Sequence, residues 1–297
     1  MRALTADIAP PDPRPLQPRS RPPAGACDCH SHIFGPDSRF PYAPERSYTP
    51  HETPLEAYLG MLDAIGIDRG ILIQGSAYGT DNSVLLDALR RTPERIRGVA
   101  VLDETASRRD MSSMTDAGVR GLRFNHLFRN GQLAFKGGAG IDQFRLLESA
   151  MADLGWHAQL WLDCKDLPAL WPSIRNSPVT IVIDHMGRVD ASLGIAYPGF
   201  EFMRRLLGDG RIWVKLSAPY RAGGSAPRYP EAKPFHEALL AANPDQCLWG
   251  LNWPHVSWTG PMPNDGALLD LLEDWTPRAE TRHRILVDNP EKLFAFG

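Results

Sequence analysis

No apolar run in this 297-residue chain approaches the roughly 20 residues needed to cross a bilayer. The first 25 residues hold seven prolines and several arginines, yet no apolar segment of the kind a secretory leader carries. Positive charge is not in excess either. Thirty-two Lys and Arg face 35 Asp and Glu, a formal net charge of −3, so there is no broad cationic surface for a nucleic-acid backbone. Cysteine is sparse: Cys27, Cys29, Cys164 and Cys247 make neither a disulfide scaffold nor a CxxC pair, which predicts free thiols in a reducing cytoplasm. These absences argue against membrane and nucleic-acid partners and leave small-molecule chemistry.

Past the Pro-rich arm, expected over residues 1–25, short runs of Ile, Val and Leu alternate with helical patterns. Strands are predicted over 27–32, 70–74, 98–102, 118–124, 157–162, 179–184, 212–216 and 246–251. Helices are predicted over 53–65, 82–91, 142–154, 199–207 and 234–241. Eight nearly continuous apolar strands separated by helices point to one α/β domain, a single (β/α)8 TIM barrel over residues 26–297. A doubly wound sheet is the competitor, but no glycine-rich phosphate loop follows the first strand.

In a barrel of this kind the carboxyl ends of the strands form the site. The first strand ends in His30-Ser31-His32, where alternation sends both imidazoles to the same side. Ser76 follows the second strand, Arg123, Asn125 and Arg129 the fourth, and Asp184, His185 and Arg188 the sixth. Ser217 and Arg221 follow the seventh, and Asn252 and His255 the eighth. Taken singly, each has an ordinary structural explanation; gathered at one rim they argue for an enzyme. Arginines facing a concave site suit a small carboxylated substrate, because the guanidinium fork matches a carboxylate. Ser76 and Tyr48 would add hydroxyl donors, although Tyr48 serves equally well as a loop-packing aromatic. The histidines would then lie near a reacting carbonyl.

The stretches 28–36 (DCHSHIFGP), 40–42 (FPY), 79–82 (GTDN), 120–125 (RGLRFN), 181–188 (IVIDHMGR) and 253–255 (WPH) together resemble the amidohydrolase superfamily. Within it they are most similar to the lactonases that open a pyrone dicarboxylate in aromatic-acid breakdown. The resemblance implies a hydrolase in which His30, His32 and His185 surround the lactone carbonyl. It also implies that Arg123, Arg129 and Arg221 hold the carboxylates, helped by Tyr48, Ser76 and His255.

Two positions depart from the family. Asn252 stands where the last strand usually ends in a water-activating aspartate, and an amide cannot serve as a base near neutral pH. Trp161 stands where the lactonases carry a tyrosine and metal-bearing relatives a histidine. The resemblance therefore implies a site that requires no cofactor. The alternative is zinc or manganese on His30, His32 and His185, a set that lacks an oxygen anion. The alternatives are a lactone isomerase or a decarboxylase on the same scaffold, or, because of Asn252, a lactone-binding variant without turnover.

Overall fold

The computed structural model describes residues 9–129, 131–134 and 138–296. Residues 1–8 of the expected arm and residue 297 of the expected domain lie outside the described residues.

Eight parallel strands form the central sheet: β1 (Cys27–Ser31), β2 (Arg69–Ile73), β3 (Ile96–Ala100), β4 (Val119–Asn125), β7 (His157–Trp161), β8 (Ile181–Ile183), β9 (Trp213–Ser217) and β10 (Cys247–Gly250), adjacent in that order. Between β4 and β7, the short strands β5 (Phe128–Arg129) and β6 (Gln132–Leu133) make an antiparallel ribbon of their own. Each barrel strand lies within two residues of its predicted bounds. Beyond the last strand the sheet closes on itself. The Asn252 N–H donates to the His30 carbonyl at 2.7 Å, and the His32 N–H to the Trp253 carbonyl at 2.8 Å. The Asp28 carboxylate pins this seam by accepting the Leu251 N–H at 2.8 Å and the His30 N–H at 3.1 Å. A side chain at Gly250 would come within 2.8 Å of the His30 nitrogen, so only glycine allows the two strands to approach this closely. The fold is a (β/α)8 barrel.

Helices α1 (Leu55–Ile65), α2 (Ser83–Arg91), α3 (Arg108–Asp116), α4 (Ile141–Asp153), α5 (Leu167–Ile174), α6 (Pro198–Gly208), α7 (Lys233–Ala242) and α8 (Asp265–Trp275) alternate with the strands. The short α9 (Ala279–His283) and α10 (Asn289–Phe294) end the chain. At the foot of the barrel, Phe294 and Phe296 pack with Cys27, Cys29, Ile71, Val99, Val182, Trp213 and Leu248 into an apolar plug. Above it the interior turns polar, with His157, Gln159 and Lys215 buried.

The arm, from residue 9 on, lies along α8 and reaches α1. The Leu16 N–H bonds Asn264, the Arg19 N–H bonds Asp270, and Gln17 reaches the Ala64 carbonyl. It passes directly over Gly266, where a Cβ would fall 1.8 Å from the Leu16 carbonyl oxygen.

Candidate active site

Backbone strain marks one end of the barrel. Nine non-glycine residues have a left-handed φ among the described residues, and seven of them, His185, Met186, Arg188, Ala218, Asn252, His255 and Ser257, follow β8, β9 and β10. Such conformations cost free energy and persist where the surroundings impose them, often at functional sites. Asn252, with φ 68°, is of the residue type that tolerates this region best after glycine.

At the floor of this end sits a buried ion cluster centred on Lys215. Its Nζ lies 2.7 Å from Gln159 Oε1, 3.1 Å from His30 Nδ1 and 3.3 Å from Asp184 Oδ1. The ammonium donates to Gln159 and His30, and its charge pairs with the Asp184 carboxylate. Gln159 is oriented for this task by donating its amide to His157 Nε2 at 2.9 Å. Asp184 Oδ2 accepts from Arg123 Nε at 3.1 Å. Burial pushes the Asp184 carboxyl up, but Lys215, His30 and Arg123 outweigh it and hold the group well below the carboxylate range. Burial, aided by the Lys215 charge, lowers His30 to about 3, so its ring is neutral. With Nδ1 accepting from Lys215, the His30 proton resides on Nε2, a buried atom with no hydrogen-bond partner within the fold. That N–H is a donor without an acceptor.

A small cavity opens above, lined by His32, Tyr48, Ser76, Arg123, Trp161, His185, Arg221 and Asn252. The His30 ring lies 4.4 Å from that of His185 and 5.1 Å from that of His32, centroid to centroid. His32 Nδ1 donates to the Ile73 carbonyl at 2.8 Å, which leaves Nε2 as a lone pair. His185 Nδ1 meets Ser217 Oγ at 2.8 Å. Burial, reinforced by the neighbouring His30, keeps both rings well below the ordinary histidine value. Arg221 is anchored through Nη2 on the Val256 carbonyl, while its buried Nε has no partner within the fold. The Arg123 guanidinium lies 4.6 Å over the Trp161 ring, so the indole supplies a cation–π platform. Ser76 Oγ lies 3.4 Å from the Tyr48 hydroxyl.

Two of the expected residues are placed elsewhere. Arg129 is exposed on the β5–β6 ribbon and does not line the cavity. His255 is fully buried behind the wall, with Nδ1 2.9 Å from the Tyr220 hydroxyl and Nε2 3.2 Å from Asp265 Oδ1. Conversely, sequence reasoning passes over Lys215, Gln159, Tyr220 and Asp265. Lys215 carries a signal in retrospect, since alternation along β9 puts it on the same face as the rim residue Ser217.

The expected absence of an oxygen anion near the histidines is corrected here. His30, Asp184 and His185 offer ligand atoms within 4.8 Å of one another. The carboxylate is already engaged, however, by the cations of Lys215 and Arg123. His30 Nδ1 faces the same ammonium. Trp161 and Asn252 supply no anionic or imidazole ligand from β7 or the end of β10. This donor set does not fit a divalent ion while Lys215 keeps its place.

A closed parallel barrel with neutral imidazoles, a buried carboxylate and arginines at its carboxyl rim defines a (β/α)8 enzyme. The chain belongs to the amidohydrolase family, whose model matches residues 27–296. It is 35% identical over 289 residues to a 2-pyrone-4,6-dicarboxylate hydrolase of Comamonas testosteroni, covering 94% of this chain and 93% of that one. To a 4-sulfomuconolactone hydrolase of Rhizobium radiobacter it is 36% identical, covering 92% and 90%. A D-galactarolactone isomerase of Agrobacterium fabrum is 28% identical, with 99% and 97% covered. Among solved structures, an apo protein of Agrobacterium tumefaciens superposes with a TM-score of 0.82 at 28% identity, covering 94% and 98%. Metal occurs in more distant barrels of this fold. An amidohydrolase of Burkholderia multivorans has zinc bound (16% identity, TM-score 0.68, 92% and 99% covered). A 5-carboxyvanillate decarboxylase of Novosphingobium aromaticivorans is complexed with manganese (13% identity, TM-score 0.60, 95% and 99% covered).

Proposed function

We propose that this protein hydrolyses the ring ester of a small carboxylated lactone, of the 2-pyrone-4,6-dicarboxylate kind met in aromatic-acid catabolism. One observation carries the reading: two buried donors lack partners, Arg221 Nε on the cavity lining and His30 Nε2, whose ring packs against the lining residues His32 and His185. A carbonyl and a carboxylate are the acceptors that such a pair calls for.

In this reading the lactone carbonyl oxygen accepts from His30 Nε2–H, which then stabilises the oxyanion. Arg221 and Arg123 hold the carboxylates, with Ser76 and Tyr48 on their remaining oxygens. Water attacks the carbonyl carbon, the ring C–O bond breaks, and the ring oxygen leaves with the proton. Asn252 cannot take that proton. The lone pair at His32 Nε2 is the acceptor on offer, and burial keeps it a weak one.

The Lys215 ammonium, placed against the carboxylate and imidazole that a metal would need, supports a reaction that requires no divalent ion. Residues 26–297 form the catalytic unit in this reading, and residues 9–25 of the arm lie along it. The four buried free thiols favour a reducing cytoplasm.

Asn252 favours a second reading, lactone isomerisation, in which a hydroxyl of the substrate itself replaces water as the nucleophile. Incubation with pyrone dicarboxylate and with aldarolactones in ¹⁸O-water, followed by NMR and mass spectrometry, separates the two. An open acid carrying one ¹⁸O supports hydrolysis, an unlabelled ring isomer supports isomerisation, and loss of carbon dioxide would point to decarboxylation. Binding without turnover of any lactone would overturn all three.

A further inference from the structure

Asn252 is not alone behind the cavity wall. Its Nδ2 lies 2.7 Å from the Tyr220 hydroxyl, Tyr220 lies 2.9 Å from His255 Nδ1, and His255 Nε2 lies 3.2 Å from Asp265 Oδ1. All four residues are at most 1% exposed. The direction of every bond in this chain follows from its far end. A carboxylate only accepts, so His255 donates to Asp265 from Nε2. A ring that carries its single proton at Nε2 has a lone pair at Nδ1, and Tyr220 donates to it while accepting from Asn252 Nδ2. Having one proton, the phenol must accept from position 252, and the only donor there is the amide NH2. The amide is thereby turned with its nitrogen toward the wall and Oδ1 toward the cavity that Asn252 lines. Burial pushes the phenol up to about 12, so it keeps its proton throughout the working range.

We propose that Asp265, His255 and Tyr220 are positioning residues that fix the Asn252 amide so that its Oδ1 serves as a neutral hydrogen-bond acceptor for the attacking water. Positioning without proton abstraction is what an amide can supply at the place where a carboxylate would act as base. The relay also gives His255 a role that needs no contact with substrate. It rests on the proposed lactone reaction for its catalytic consequence, but its geometry is testable without any substrate.

Long-range ¹H–¹⁵N NMR on the unmodified chain reads the tautomer directly. His255 is expected to be protonated at Nε2 and bare at Nδ1, and one Asn side-chain amide is expected to exchange slowly and to shift on Tyr220→Phe. A His255 protonated at Nδ1 would reverse the chain, turn the amide around and overturn the proposal. In turnover assays, Tyr220→Phe is expected to lower kcat about tenfold with KM within twofold. Added to Asn252→Ala, it is expected to cost nothing more. Equal kcat for Tyr220→Phe and the parent, or fully additive losses in the double variant, would refute the positioning role. Should Tyr220→Phe not fold, the tautomer measured on the parent still decides the direction of the relay. A correct tautomer with no turnover of any lactone would instead count against the proposed reaction.

Discussion

Lys215 Nζ lies 3.1 Å from His30 Nδ1, and neither side chain reaches solvent. The lysine thereby decides which nitrogen of the histidine bears the proton. Lys215→Met keeps the length of the side chain and removes its three donors, freeing Nδ1 to take the proton and donate to Asp184. The Nε2–H donor is then lost from the cavity floor. Loss of one oxyanion donor lowers kcat by about 10²–10³-fold. Stability should also fall by roughly 3–5 kcal/mol, the range for breaking a buried ion pair. A folded Lys215→Met variant with parental kcat would show that the His30 tautomer is irrelevant to the reaction.

Arg221 presents a buried Nε with nothing to bond. Replacing it with Met removes a charge-assisted contact to a substrate carboxylate, worth about 2–3 kcal/mol, so KM or Kd for the dicarboxylate should rise some tens-fold. Calorimetric titration of the folded variant checks this, and an unchanged Kd would clear Arg221 of the clamp.

With Lys215 and Arg123 already neutralising Asp184, exhaustive dialysis against a chelator should leave activity intact, with metal analysis finding less than one ion per chain. Stoichiometric zinc or manganese needed for turnover would contradict this.

Asn252→Asp puts a carboxylate where the amide now presents an acceptor. If proton removal limits hydrolysis, the rate should rise by about 10²–10⁴-fold, the range for a positioned base. The variant should also acquire an acidic limb in its pH profile that the parent lacks. The parent, in turn, should hold intact lactone long enough for a crystal structure. Equal rates would place the base at His32 or another imidazole.

Acid should unfold this protein early. His30, His157 and His236 are buried and held at about 3, against 6.5 for a free histidine. Below pH 6.5 protons therefore bind the unfolded chain first. The stability these rings contribute is complete above 6.5 and is lost as pH falls toward 3, at about 1.4 kcal/mol per ring per pH unit. Asp28, raised by burial from 3.8 to about 6, acts in the opposite sense and offsets about one ring between those values. The net loss between pH 6 and 4 is then about 3 kcal/mol per unit, before His32 and His185 add theirs. A Tm that stays flat from pH 7 to 4.5 would contradict the buried neutral histidines.

Most strands were legible because they are short runs rich in Ile, Val and Leu closed by glycine or a polar residue, while β1 stood out by its His30-Ser31-His32 alternation. Three of the eight barrel helices were not, and neither were the short α9 and α10. α3 buries only Met111, so it has almost no apolar period, and its one signal is the Ser107–Asp110 capping box. α5 carries Pro172 inside it, which reads as a break. α8 follows the last strand, where Asn264 as its N-cap was the available cue. At the site, His30, His32, Arg123, His185 and Asn252 stood out because they end strands. Lys215 did not, because a lone lysine within a strand ordinarily faces water. Tyr220 and Asp265 act only through three-dimensional contacts with His255 and Asn252, for which a sequence offers no spacing rule.

The seam at which Asn252 bonds the His30 carbonyl joins residues more than two hundred positions apart in the chain. Histidine and asparagine come together only when the first strand meets the last, so the candidate site has no partial form. A nascent chain on the ribosome carries His30 from the outset but possesses no site until the segment beyond residue 250 has emerged and docked. The same holds for fragments: one ending before β10 keeps both first-strand histidines yet retains neither the clasp at Asp28 nor the wall behind the cavity. Catalysis in this protein is accordingly an all-or-none report that the ring of strands has closed.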